Sequence, residues 1–348
     1  MITGTLEKRG GVALIAKWLL VALTVSFVGT FQVSDSEAQA DSLQDLRTGW
    51  NDPDLQGIWD FRTVTPLERP EDYAEQEFLT PEKLAAFRES QLQRRNADRR
   101  GANTASDLER GYNDFWWDYG WELTDDGRTS LIIDPPNGRM PELTQAEAAR
   151  VRQPRRGASR ERIVLGVVPD GPENLGLAER CLLGFNSGPP MIPSNYNNNV
   201  QVFQSPGYVV LFNEMIHHTR VIPIDDRPHL PAHIRQWAGD SRGTWHGKTL
   251  VVETTNFTAK SSFTGLAHLR GGSGRNLHLV ERFTRAGRDR LLYEFTVTDS
   301  DAWTSPWTVA MPMTRTEDPT YEYACHEGNY AMHNILAGAR AQEDEDHE

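Results

Sequence analysis

From Val200 onward the chain is a succession of short β-rich runs: VQVFQ, YVVLFNEM, HHTRVIPI, KTLVVETTNF, NLHLVERF, RLLYEFTV, WTVAMPMT and YEYACHE. Each is dense in β-branched or aromatic residues. The joints are short and turn-prone, as at His246-Gly247-Lys248 and Ala286-Gly287-Arg288-Asp289. Hairpin-like connections in sequence predict a mainly β fold: a meander of about eight strands, long enough to close into a barrel, with a two-sheet sandwich as the alternative. The preceding stretch, 41–160, is polar, loop-rich and partly helical. Thr80-Pro81 opens one helix, TPEKLAAFRESQLQRRNADRR, with Thr80 as cap and Pro81 in the first turn. Thr144 and Glu147 form a capping-box pattern before AEAARVR. TSLIID reads as a short strand ending at a Pro-Pro turn. Residues 161–340 read as the β core domain, NYAMHNILAGARA as a C-terminal helix, and 341–348 as a disordered acidic tail.

Gly57-Ile58-Trp59 and Gly243-Thr244-Trp245 resemble the G-x-W signature that opens the first strand of calycin (lipocalin-like) barrels. That resemblance implies a barrel with an internal cavity, the second copy marking a strand start and Trp245 lining the binding site.

The N-terminus reads as an export signal. Lys8, Arg9 and Lys17 supply positive charge, Trp18 to Phe31 is an apolar run short for a membrane span, and Ala38-Gln39-Ala40 fits a cleavage site. Residues 1–40 are therefore set aside, with periplasmic or secreted localisation and no stable membrane insertion after cleavage as expectations. The net charge of −13 argues against nucleic acid and anionic membrane surfaces as partners. The chain has two cysteines, Cys181 and Cys325, and in an exported protein such a pair is expected to form a disulfide. Arg150 to Arg162 holds six arginines, either a solvated helix end or an anion-binding patch.

All ten histidines fall between His217 and His347. Imidazole titrates near neutrality, so this distribution places acid–base or metal chemistry in the second half. Treated as one extended run, Tyr208 to Ile224 alternates so that Val210, Phe212, Glu214, Ile216, His218, Arg220 and Ile222 share a face. Charged groups on such a face must be paired or wet. One bulge would exchange His218 for His217, so parity alone leaves the two open. Asp225 and Arg227 either fix the following loop or bind substrate, and His229 follows them. In NLHLVERF, Glu281 shares a face with Leu277, Leu279 and Phe283, either as a buried acid–base carboxylate or in a salt bridge to an arginine of a neighbouring strand.

No H-E-x-x-H, C-x-x-C or EF-hand spacing occurs, and no metal or other cofactor is expected. Should one be present, His217, His229 and His233 are the first ligand candidates. No nucleotide-binding glycine pattern precedes a helix, and no G-x-S-x-G elbow is present. The strings NEMIHHTRVIPIDDRPH, GDSRGTWHGKTLVVETTNF, LHLVERF and YEYACHEGNYAMHNIL together resemble a large family of exported bacterial proteins without an assigned activity. The resemblance spans roughly 110–340 and implies Glu214, His217, Arg220, Asp225, Arg227 and His229 as a recurring polar string, favouring His217 over His218.

The expectation is a cofactor-independent enzyme performing elimination, isomerisation or hydrolysis on a small, partly apolar molecule. His217 is its acid or base, Glu214 the orienting carboxylate and Arg220 an oxyanion anchor, with Asp225, Arg227, His229, Glu281 and Trp245 toward substrate. The alternatives are a lipocalin-like carrier and a structural envelope protein with a paired-charge core.

Overall fold

The structure, a computed structural model, describes residues 46–98, 113–152, 169–260, 272 and 274–347. The expected export signal and most of the arginine-rich stretch lie outside these residues. Ten strands form one antiparallel sheet: β1 (Gly57–Asp60), β2 (Ile132–Asp134), β3 (Asn199–Ser205), β4 (Tyr208–Asn213), β5 (Thr219–Pro223), β6 (Asp240–His246), β7 (Thr249–Thr255), β8 (His278–Arg285), β9 (Arg290–Thr298) and β10 (Trp307–Thr316). The spatial order is β5-β4-β3-β1-β10-β9-β8-β7-β6, with β2 paired to the start of β10. Two meanders, β3–β5 and β6–β10, are thus stitched together by β1, which arrives from the N-terminal region and pairs with both β3 and β10.

Period-two burial runs through the strands and sets the interior. In β8 and β9 every second residue is buried: Leu279, Glu281 and Phe283, then Leu291, Tyr293, Phe295 and Val297. Trp59, Val200, Val202, Leu211, Leu250, Val252, Trp307 and Met311 complete this core. Tight hairpins keep the strands in register. Pro206-Gly207 joins β3 to β4 in two residues, and Gly207 takes φ +80°, a conformation that favours glycine.

Hydrogen bonds do not close the sheet into a barrel, because β5 and β6 remain its two edges. Their side chains nevertheless touch. A Cβ placed on Gly243 of β6 meets Ile222 Cγ2 at 3.1 Å and also Ile224 Cδ1, so the bare glycine lets the edges approach. Both G-x-W strings lie in strands, Gly57 opening β1 and Gly243 falling in the middle of β6.

Among the described residues three α-helices accompany the sheet: α1 (Pro81–Arg95), α2 (Gln145–Arg152) and α3 (Tyr330–His347). Thr80 holds the N-cap position of α1, although its side chain makes no capping bond to the backbone. Thr144 Oγ1 accepts from Glu147 N at 3.2 Å, half of a capping box; Glu147 instead binds Arg150. Helix α3 continues through the residues read as an acidic tail, to His347. YEYACHE, expected as a strand, is irregular chain. Among the described residues, no helix is long and apolar enough to cross a membrane.

Candidate functional site

Tyr208 to Ile224 is not one extended run. The chain reverses between β4 and β5, with Asn213 N donating to His218 O at 2.8 Å, and Met215–His217 forms a single 3-10 turn. The reversal resets the alternation. Asn213 from β4 and Arg220 and Ile222 from β5 are buried, while His217 is exposed and His218 half-buried. Antiparallel pairing across the sheet places this turn at the same end as the starts of β3, β6, β8 and β10 and the ends of β7 and β9. Glu214, His217, Arg220, Glu281 and His229 gather at that end, whereas Asp225 and Arg227 follow the far end of β5 and lie beside Tyr208 at the opposite one.

The turn is strained. Ile216 has φ +56° and His217 φ +43°, where a β-branched side chain is a genuine outlier at about 1–3 kcal/mol. A small apolar cluster holds it there: Met215 and Ile216 pack with Cys181, Phe185, Tyr196, Tyr323 and Cys325. Cys181 and Cys325 form the expected disulfide, with Cα atoms 5.8 Å apart. The bridge fixes the Tyr323 segment beside the turn.

His217 Nδ1 lies 3.0 Å from the Tyr323 carbonyl oxygen. A carbonyl only accepts, so Nδ1 carries the proton and Nε2 is left with its lone pair. Glu214 does not contact the ring in this arrangement. Its oxygens accept from Asn199 Nδ2 at 2.9 Å and Tyr321 N at 3.2 Å. It therefore holds in place the strap whose carbonyl meets His217, rather than the ring itself as expected. Tyr323 lines a surface depression of about 400 Å³ with Glu179, Glu322, Cys325 and Asn329. The His326 ring stands 6.2 Å from that of His217.

Arg220 and Glu281 meet inside the fold. Arg220 Nη1 and Nη2 donate to Glu281 Oε2 and Oε1 at 2.6 and 2.9 Å, and Tyr293 OH donates to Oε1 at 2.6 Å. Met191 N closes the chain by donating to Tyr293 OH at 3.1 Å. Burial and the facing Glu281 carboxylate push the Tyr293 hydroxyl well above its usual range. The arginine partner anticipated for Glu281 is thus present, but β5 and β8 are not neighbours. The pair spans the interior, and with both carboxylate oxygens and both terminal guanidinium nitrogens committed it works as a pin between two parts of the sheet.

A third group joins two of the motif strings on the outer face. His229 Nδ1 lies 2.9 Å from Asp240 Oδ2, which also accepts from Leu230 N, while Arg242 binds Oδ1 at 2.7 Å. Glu253 stands 4.0 Å from His229 Nε2 and 2.5 Å from His278 Nε2. Asp225 and Arg227 pair locally on the surface and fix their own loop. Trp245 is partly buried against the main core. Sequence reading missed Tyr293 as a partner of Glu281, although its alternation with Leu291 and Phe295 was readable. It also missed Asp240 and Glu253, whose partners come from other strings.

Among the described residues no group of three or more His, Cys, Asp or Glu side chains is placed to hold a metal ion. No family model, curated protein or solved structure matches the chain.

Proposed function

We propose that this protein is an exported enzyme that moves protons on a small, partly apolar organic molecule, with His217 as the acid–base group. One observation carries the reading. An exposed imidazole, held by a strained turn, has Nε2 uncommitted and Nδ1–H tied to the carbonyl of Tyr323, a residue that lines a depression large enough for a small molecule. An imidazole oriented through one nitrogen and free at the other is the arrangement general-base catalysis requires. Nε2 takes a proton from a carbon acid or from water. The resulting imidazolium donates to Tyr323 O and returns the proton at a neighbouring atom or to a leaving group.

The barrel reading, the calycin likeness, membership of the exported family and a periplasmic or secreted setting belong to this proposal. The side-chain contact of Gly243 with Ile222 and Ile224 supports a curled, nearly closed sheet, as does the Arg220–Glu281 pin across its interior. The interior is filled by Trp59, Phe283, Tyr293, Phe295 and Trp307, which favours a site at the sheet's end over a ligand carried within it.

The test is a metabolite screen by thermal shift, followed by chemical analysis of each hit after incubation with wild type and His217→Ala. The proposal expects conversion by wild type and a loss of about a hundredfold or more in the variant. Hits recovered chemically unchanged from wild type across pH 5 to 8 would sink it.

A further inference from the structure

Behind the turn, several buried polar atoms have no hydrogen-bond partner. Asn213 is 1% exposed, and neither its Oδ1 nor its Nδ2 makes a hydrogen bond. Arg220 is 5% exposed and its Nε is uncommitted, although both terminal nitrogens hold Glu281. His218 Nδ1 and Asn186 Oδ1 are in the same condition. These groups are neighbours. Asn213 N bonds His218 O, and Arg220 lies on the same interior face two residues beyond His218. The His218 ring meets the Ser187 backbone, next to Asn186. A buried polar atom left unpaired gives up its hydrogen bonds to water with nothing in return, so a group of five is not neutral packing.

The charges cancel here. Glu281 balances Arg220, and burial together with the Arg220 charge lowers His218 to a pKa of about 4, leaving it neutral near pH 7. The ring hydrogen serves the Ser187 backbone, so Nδ1 is an acceptor. The free complement is thus two donor groups, Arg220 Nε and Asn213 Nδ2, and three acceptors, Asn213 Oδ1, Asn186 Oδ1 and His218 Nδ1. A carboxylate offers acceptors alone and leaves the protein's three acceptors unmatched. A hydroxyl pair or a carboxamide both gives and receives.

We infer that Asn213, His218, Arg220 and Asn186 form a binding site for a neutral small molecule that donates and accepts hydrogen bonds, of the diol or carboxamide class. It stands apart from the acid–base reading of His217, since it concerns binding and involves neither His217 nor Tyr323.

The experiment titrates ethylene glycol, acetamide and acetate separately into 15N-labelled protein and follows the Asn213 side-chain amide and Arg220 Nε–H resonances. Ethylene glycol or acetamide is expected to shift both saturably, with acetate at least tenfold weaker. Asn213→Leu removes the one carboxamide, with both of its unpaired atoms, while filling similar volume. It should melt no lower than wild type and abolish the saturable shift at Arg220 Nε–H. A drop of several degrees in its melting temperature would show that Asn213 is bonded within the fold and overturn the inference. So would shifts that never saturate with either neutral probe, the behaviour of a site filled by water alone, or acetate binding as tightly as they do.

Discussion

At the scale of single residues, the turn between β4 and β5 separates two adjacent histidines that the sequence offered as alternatives. His217 is exposed on a left-handed backbone with one nitrogen tied, whereas His218 is turned inward and held neutral. Parity could not decide between them because it assumes a continuous strand, and the chain reverses between Asn213 and Thr219. Glycine tolerates φ +43° where alanine does not. His217→Gly should therefore be more stable than His217→Ala by about 1 kcal/mol in urea titrations, with both inactive; equal stabilities would remove the strain argument. His218 gives a pH signature. Its folded pKa, about 4, lies below the unfolded value of about 6.5, so the unfolded chain binds the extra proton between them. His218's contribution is complete above pH 6.5 and is lost as pH falls toward 4, by at most about 3 kcal/mol. Urea denaturation of wild type and His218→Gln at pH 7 and pH 4.5 measures it, and the difference between the proteins should shrink or reverse in acid.

At the scale of elements, alternation made much of the sheet legible. In NLHLVERF and RLLYEFTV it marked the interior positions, Glu281 among them, because both strands run unbroken. The short β1 and the polar β6 lacked such a pattern, and their positions are set by tertiary pairing. The partner of Glu281 was beyond the reach of local pattern, since β5 meets β8 only through the curvature of the whole sheet. Removing one member of this buried pair leaves the other uncompensated. Arg220→Met is predicted to lose about 3–5 kcal/mol in urea denaturation, and Arg220→Met with Glu281→Leu to recover most of it. A double variant as unstable as the single would mean that the pair contributes to the fold in a way no apolar contact replaces.

At the scale of the whole molecule, long-range bonds draw distant strings to one end of the sheet. Arg220 joins Glu281, His229 joins Asp240, Glu214 and His217 hold Tyr321 and Tyr323, and Cys181 joins Cys325. The cysteine pairing was readable from their number and the expected export; the strap it secures was not, because its contacts to the turn run through backbone atoms. The bridge encloses a separation of 144 residues, so Cys181→Ala/Cys325→Ala should lose about 2–5 kcal/mol in urea denaturation and shift the resonances of His217. A variant that loses stability but leaves His217 unchanged would uncouple the bridge from the site. Proton transfer at this site requires an imidazole fixed as the Nδ1–H tautomer with Nε2 free to take a proton. The 15N spectrum of the His217 ring at pH 8 measures this directly. A protonated Nδ1 and a bare Nε2 are predicted, moving toward the Nε2–H form when the bridge is removed. An Nε2–H tautomer in the intact protein would contradict the acid–base role of His217.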